Sequence, residues 1–302
     1  MRRYAVLTVL VFALLTPPAA AGDGVPPVGA NAGPAGVTMP GLAYRWVTVR
    51  VGGHTLVAAI ERRGGRIDVT RIVRAPLVVP VVAYDMSATG LSADGTTLVL
   101  ARERRTFPQR RSGFTVLDAN TLQPRDTIAL RGDFTLDAVS PDGGRLYFIQ
   151  AKTPVRYAVR AYDVAQQRLL PGAIVDPEEA DEPREGIPLA RAMSPDGRMA
   201  YTLYERDGSE WFVHALDTEV GEARCIDLDR IAPVDDLRAG RDGTLILTAA
   251  GAVVRRVDLR PKRVVSTRTS GAAAGPGWAG IVAGAALLTL LGVAAARGSR
   301  MR

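Results

Sequence analysis

The chain of 302 residues carries 38 basic and 31 acidic residues, a net charge of +7, and one cysteine. Five of the basic residues lie in segments 1–21 and 277–302, so residues 22–276 have 33 basic and 31 acidic residues and a net charge of only +2. This balance argues against a nucleic-acid-binding protein, which needs a net basic face. A single thiol also excludes an internal disulfide.

The N-terminus has the pattern of an export signal. Two arginines precede an apolar run of 12 residues, and the segment ends in Ala19-Ala20-Ala21. Because this run is shorter than a membrane span, we expect residues 1–21 to be a cleaved signal peptide, the alternative being an uncleaved anchor. Residues 22–41 contain six glycines and four prolines. That composition predicts a flexible linker.

A four-residue turn sequence recurs through the central part of the chain. It reads Ser-Ala-Asp-Gly, Ser-Pro-Asp-Gly twice, and Gly-Arg-Asp-Gly, with successive aspartates 48, 54 and 46 residues apart. Proline and the Asp-Gly pair favour tight turns, and strand-forming residues follow each copy. Each copy therefore predicts a β-hairpin.

Each repeat continues with a second strand-like phrase that ends in an aspartate 16 to 24 residues later, and with a further apolar run. Four short strands in a period of the forties are typical of a propeller blade. An earlier unit has turns at Gly52-Gly53 and Gly64-Gly65. We read it as a divergent first blade that begins with the Gly52-Gly53 hairpin. The prediction is an all-β propeller of about five four-stranded blades over residues 42–268.

Residues 139–148, Val-Ser-Pro-Asp-Gly-Gly-Arg-Leu-Tyr-Phe, resemble the repeats of YVTN-type and TolB-type β-propellers, and so do residues 114–122. The resemblance covers residues 86–265. It implies the propeller fold but no single function, because such propellers serve many roles.

The C-terminus has the pattern of a membrane anchor. After a linker over residues 269–276, residues 277–296 are 20 in number and carry no charge. As a helix they would be about 30 Å long, enough to cross a bilayer. Three arginines follow and predict a cytoplasmic tail over residues 297–302. A buried core helix is the alternative. Gly280 and Gly284 form a Gly-x-x-x-Gly pair that would permit a weak homodimer.

Two long charged loops are the main functional candidates. Residues 102–111 link the second and third strands of one blade, and residues 176–185 link two blades, so strand alternation puts both on one face. Long loops on a rigid scaffold tend to carry function. We expect a protein or glycan partner there, with Phe107 as the anchor, the alternative being two solvated loops. The candidate binding residues are Arg102, Arg104, Arg105, Phe107, Arg110, Arg111, Glu178, Glu179, Asp181 and Glu182.

Signals for catalysis are few. His54 and His214 lie far apart, and the chain has no Gly-x-Ser-x-Gly, P-loop or dinucleotide-binding sequence. We therefore predict no catalytic residue, metal or cofactor, and interpret His214 as an ordinary strand residue. The competing function is a hydrolase or lyase similar to the propeller lactonases, acting in the central channel. The channel-lining candidates are Asp137, Arg191 and Asp235.

Overall fold

The computed structural model describes residues 30–180, 184–208, 210–228, 234 and 236–259. The predicted signal peptide, the predicted membrane span with Gly280 and Gly284, and the cytoplasmic tail lie outside these residues. In the described part the helical segments are two three-residue 3-10 turns, Gly33–Ala35 and Pro177–Glu179, and no helix there is long and apolar enough to cross a membrane. The all-β prediction is confirmed.

Five antiparallel sheets follow one another along the chain, and in each the strands pair in sequence order. The first contains β1 (Tyr44–Val51), β2 (His54–Glu61) and β3 (Ile67–Val73). The second contains β4 (Leu77–Val78), β5 (Thr97–Arg102), β6 (Arg111–Asp118) and β7 (Pro124–Arg131). The third contains β8 (Phe134–Val139), β9 (Arg145–Ala151), β10 (Tyr157–Asp163) and β11 (Arg168–Leu169). The fourth contains β12 (Ile187–Met193), β13 (Met199–Arg206), β14 (Glu210–Asp217) and β15 (Glu222–Leu228). The fifth contains β16 (Asp236–Ala239), β17 (Thr244–Ala249) and β18 (Ala252–Asp258). Three of the five sheets thus have the predicted four strands.

The recurring turn sequence forms the hairpin between the first and second strands, as predicted. At residues 140–143 the N–H of Gly143 donates to Ser140 O, and the Ser140 hydroxyl donates to the Asp142 carboxylate. Asp142 also accepts the N–H of Gly144, and these two hydrogen bonds lower the pKa of its carboxyl. Gly143 has φ +73°, which favours glycine.

Apolar side chains fill the space between each pair of consecutive sheets. On β9, Leu146 and Phe148 pack toward the second sheet, and Tyr147 and Ile149 pack toward the fourth. Equivalent layers lie between the first and second sheets and between the fourth and fifth. Since strand side chains alternate between faces, an inner sheet of the series is buried on both sides. Face-to-face stacking of consecutive four-stranded meanders is the packing of propeller blades.

The N-terminal edge of the fold differs from the prediction. Residues 30–41, the second half of the predicted linker, pack onto the first two sheets, and Val37 and Met39 are buried. Val37 exchanges two backbone hydrogen bonds with Trp46, so it takes the place of an inner first strand. Strands β1 to β3 are therefore the second to fourth strands of their blade, and the Gly52-Gly53 turn is not the first hairpin. The glycine and proline content predicted a flexible linker. The segment is ordered instead because its few apolar side chains pack against the first two sheets.

Candidate functional site

The connections between strands leave the sheets on two opposite faces. We call the face that carries the links between sheets and the loops between second and third strands the loop face, and the face with the recurring hairpins the tip face. Arg104, on the loop between β5 and β6, pairs with Asp133 on the link between β7 and β8. Arg156, between β9 and β10, pairs with Glu185, between β11 and β12. Both long charged loops thus belong to the loop face.

Arg104 holds the loop of residues 102–111 in place. Its guanidinium donates to Asp133 Oδ2 at 2.9 Å, and the side chains of Arg104 and Asp133 are only 10% and 2% exposed. Asp133 also accepts the N–H of Gln109, and the Arg104 guanidinium lies 4.8 Å from the centre of the Phe107 ring. Arg104 and the half-buried Phe107 therefore fix the loop. This differs from the expectation of an exposed aromatic anchor ringed by five accessible arginines.

The other four predicted arginines of this loop are exposed, and a fifth joins them from the neighbouring strand. Arg111 lies directly opposite Arg131 in the β6–β7 ladder. The Arg102 side chain packs over Gly113. A Cβ added to Gly113 would lie 2.8 Å from Arg102 Cδ. We call the exposed set the basic patch, and its members make no ion pair with any residue that the structure describes. They are Arg102, Arg105, Arg110, Arg111 and Arg131.

The acidic loop is partly neutralised by nearby arginines. Glu179 lies 3.7 Å from Arg184, and Glu185 pairs with Arg156, whereas Glu178 is exposed. Asp181 and Glu182 lie outside the described residues. The acidic and basic loops do not form an ion pair with each other in the part of the chain that is described.

Asp137 and Arg191 form a buried ion pair at the inner edge of the third and fourth sheets. The guanidinium also donates to Thr202 Oγ1 at 2.8 Å and to Asp137 O at 2.8 Å. Each charge is thus held by the other, which gives the pair a structural role between two sheets. Asp235, the third channel candidate, lies outside the described residues.

The segment between β4 and residue 91, whose path was not predicted from the sequence, lies next to this ion pair. After β4 the chain leaves the second sheet and returns at residue 91, and the bridge between Val81 and Ala88 makes this excursion a hairpin. The N–H groups of Tyr84 and Asp85 donate to carbonyls of β12 in the fourth sheet. The excursion therefore reaches from the second sheet to the fourth. A cavity of about 360 Å³ remains on the tip-face side, lined in part by Arg191.

A second cluster lies where the link before β12 meets β15. Ligand atoms of Asp176, Glu179 and Cys225 lie within 4.8 Å of one another. Asp176 and Cys225 are 49 residues apart, and in the sequence neither position carries a motif that points to the other. The sequence does not reveal this cluster because its residues lie far apart in the chain and have no regular spacing.

Neither a protein-family profile nor a curated protein sequence matches the chain. Among solved structures, the chain is similar to Kuenenia stuttgartiensis hydrazine synthase, with 14% identity over 83% of this chain and 70% of that chain and a TM-score of 0.43. It is also similar to TolB from Acinetobacter baumannii, with 14% identity over 73% and 56% of the two chains and a TM-score of 0.37. For the β-propeller domain of Myceliophteria thermophila Cps50 (Swd1) the identity is 10%, the coverage 73% and 65%, and the TM-score 0.39.

Proposed function

We propose that this protein is a membrane-anchored, extracytoplasmic β-propeller that binds an acidic protein or glycan through the basic patch on its loop face. The observation that supports this most directly is the clustering of five exposed arginines whose charges no described acidic residue neutralises. On the same face, the charges of Arg104 and Arg50 are neutralised by Asp133 and Glu103.

The geometry of Arg111 and Arg131 favours an anionic ligand. Like charges that lie directly opposite each other in an antiparallel ladder destabilise the sheet. A carboxylate or sulfate placed between them turns this repulsion into two charge-assisted hydrogen bonds. Because Arg104 fixes the loop beforehand, little ordering entropy is lost when the ligand binds.

Paired substitutions of equal charge test this proposal. Arg105→Ser combined with Arg111→Ser removes two charges from the basic patch, and Arg63→Ser combined with Arg241→Ser removes two exposed charges from tip-face turns. Retention on an immobilised acidic polysaccharide, and recovery of partners from detergent-solubilised membranes, should fall for the first variant and not for the second. Binding should also weaken with added salt, because exposed charges are screened within about 8 Å at physiological ionic strength. Equal behaviour of the two variants would refute a role for the basic patch.

The anchored topology is part of the same proposal. It is supported by the signal-like residues 1–21, by the uncharged residues 277–296 and by the arginines that follow them. Protease added to intact cells whose wall has been removed should digest the propeller. A fully protected domain would contradict the topology while leaving the ligand proposal open.

We further propose that the five sheets close into a ring, with the fifth sheet against the first. The proposal is supported by the stacking of all four consecutive pairs of sheets. Cysteine pairs introduced into the first and fifth sheets should then form disulfide cross-links on oxidation, and cysteine pairs in the first and third sheets should not.

A further inference from the structure

A small apolar cavity opens on the loop face next to the basic patch. Its volume is about 40 Å³, and it lies between the loop-face ends of the second and third sheets. Ala101 and Phe114 of the second sheet form one part of its wall, and Phe134 and Leu136 of the third sheet form another. Arg102, a member of the basic patch, also lines the cavity. An apolar group bound there would therefore lie beside the exposed positive charges.

Three polar side chains of the cavity wall are already hydrogen-bonded within the protein. Ser112 Oγ accepts from the Gln109 side chain and from the N–H of Phe134, and the Ser112 hydroxyl donates to a backbone carbonyl of the link between β7 and β8. The Arg104 guanidinium pairs with Asp133. A hydroxyl group placed among these side chains would lose its hydrogen bonds to water and gain few in return, which is unfavourable. The cavity therefore favours an apolar occupant.

The size of the cavity narrows the choice of occupant. One water-sized group needs about 10–15 Å³, so the cavity admits about three or four carbon atoms. The side chains of valine, proline, leucine and isoleucine have this size. A sugar ring or an aromatic side chain is too large, and a sugar would also bury hydroxyl groups without partners.

Resting on the proposed function of the basic patch, we propose that the partner is a protein, and that it binds through an acidic peptide segment. One small aliphatic side chain of this segment enters the cavity, and carboxylates before and after it contact the arginines of the basic patch. Arg102 is placed to serve both, because it lines the cavity and is exposed. Charge-assisted hydrogen bonds orient the peptide, and the side chain in the cavity is its anchor.

A series of labelled peptides tests this proposal on the full-length chain, purified in detergent. Each peptide has glutamates on both sides of one variable residue, and binding is measured by fluorescence anisotropy. The leucine peptide should bind at least about tenfold more tightly than the serine peptide, because the leucine side chain is removed from water. The tryptophan peptide should bind no better than the serine peptide, because its side chain does not fit. Added salt should weaken the leucine and serine peptides by the same factor, since screening acts only on charges.

A variant that fills the cavity gives a second measurement. Ala30 lines the cavity, and Ala30→Leu should abolish the preference for leucine over serine while the serine peptide binds as before. Ala165→Leu, at an exposed turn of the tip face, should retain the full preference. If Ala30→Leu lowers the melting temperature, the size series in the unmodified protein still decides the question.

The results separate this proposal from the proposed function on which it rests. Equal binding of the leucine and serine peptides, or tighter binding of an acidic polysaccharide than of the leucine peptide, would overturn the peptide proposal. In either case Arg105→Ser combined with Arg111→Ser should still weaken binding if the basic patch is the site. If that double variant bound every peptide as the unmodified protein does, both proposals would fail.

Discussion

Replacing Gly143 with alanine should destabilise the protein much more than replacing Gly208 with alanine, although the two glycines have nearly the same φ. Gly143 has φ +73° and Gly208 has φ +71°. A Cβ at Gly208 would meet open space. A Cβ at Gly143 would lie 2.5 Å from the Cβ of Thr97, and closer still to its Oγ1, because the hairpins of the second and third sheets touch there.

The two variants therefore separate backbone strain from steric overlap. An alanine in the left-handed region costs about 1–2 kcal/mol, partly offset by the lower entropy of the unfolded chain, and this applies to both variants. The overlap at Gly143 adds about 1–3 kcal/mol, the usual cost of overpacking. The free energies of unfolding of the two variants, measured by urea denaturation, should thus differ by about 1–3 kcal/mol. Two variants with equal stability would show that the hairpins do not interlock as described.

A control at Thr97 sharpens the test. Thr97→Ala removes the Oγ1 and Cγ2 atoms but retains the Cβ, so it relieves only part of the overlap with a side chain at position 143. The double variant Gly143→Ala/Thr97→Ala should be more stable than the sum of the two single changes predicts. Strict additivity would place the origin of the destabilisation elsewhere.

Three further predictions concern charged side chains. Asp137→Asn should cost about 3–5 kcal/mol in the free energy of unfolding, because it leaves the Arg191 charge buried, whereas Glu185→Gln breaks a more exposed pair and should cost less than about 1 kcal/mol. In thermal denaturation, Arg104→Ala should lower the melting temperature clearly and Arg105→Ala should not, because only Arg104 is buried in an ion pair. The lowered pKa of Asp142 stabilises the fold above the unfolded value of 3.8, and this stabilisation is lost as the pH falls through the lowered value. The difference in unfolding free energy between the wild type and Asp142→Asn should therefore shrink between about pH 6 and about pH 3, and a constant difference would contradict this account.

The recurring hairpins could be predicted because their chemistry is local. In residues 140–144 a hydroxyl, a carboxylate and a glycine with positive φ complete the turn within five residues. The strands on either side follow from alternation and from β-forming residues. The first sheet was harder to predict because its inner strand is reduced to Val37 in a segment rich in glycine and proline, whose order depends on Trp46 and the second sheet.

The candidate sites were predicted only in part. Exposed arginines of the 102–111 loop could be found because charge and loop length are visible in the sequence. Arg104 is buried whereas the neighbouring arginines are exposed because it pairs with Asp133, which lies 29 residues away in the chain and is buried beneath the loop. The like-charge pair of Arg111 and Arg131 depends on the register of two strands.

The sequence by itself determined the repeat, the antiparallel hairpins and the position of the charged loops, because each of these depends on residues close together in the chain. Only the tertiary structure decided which charges remain exposed, how the excursion after β4 reaches β12, and that Asp176, Glu179 and Cys225 come together. These features depend on contacts between different sheets. Such contacts follow from the stacking of sheets and the register of strands, and neither is encoded in any short segment of the chain.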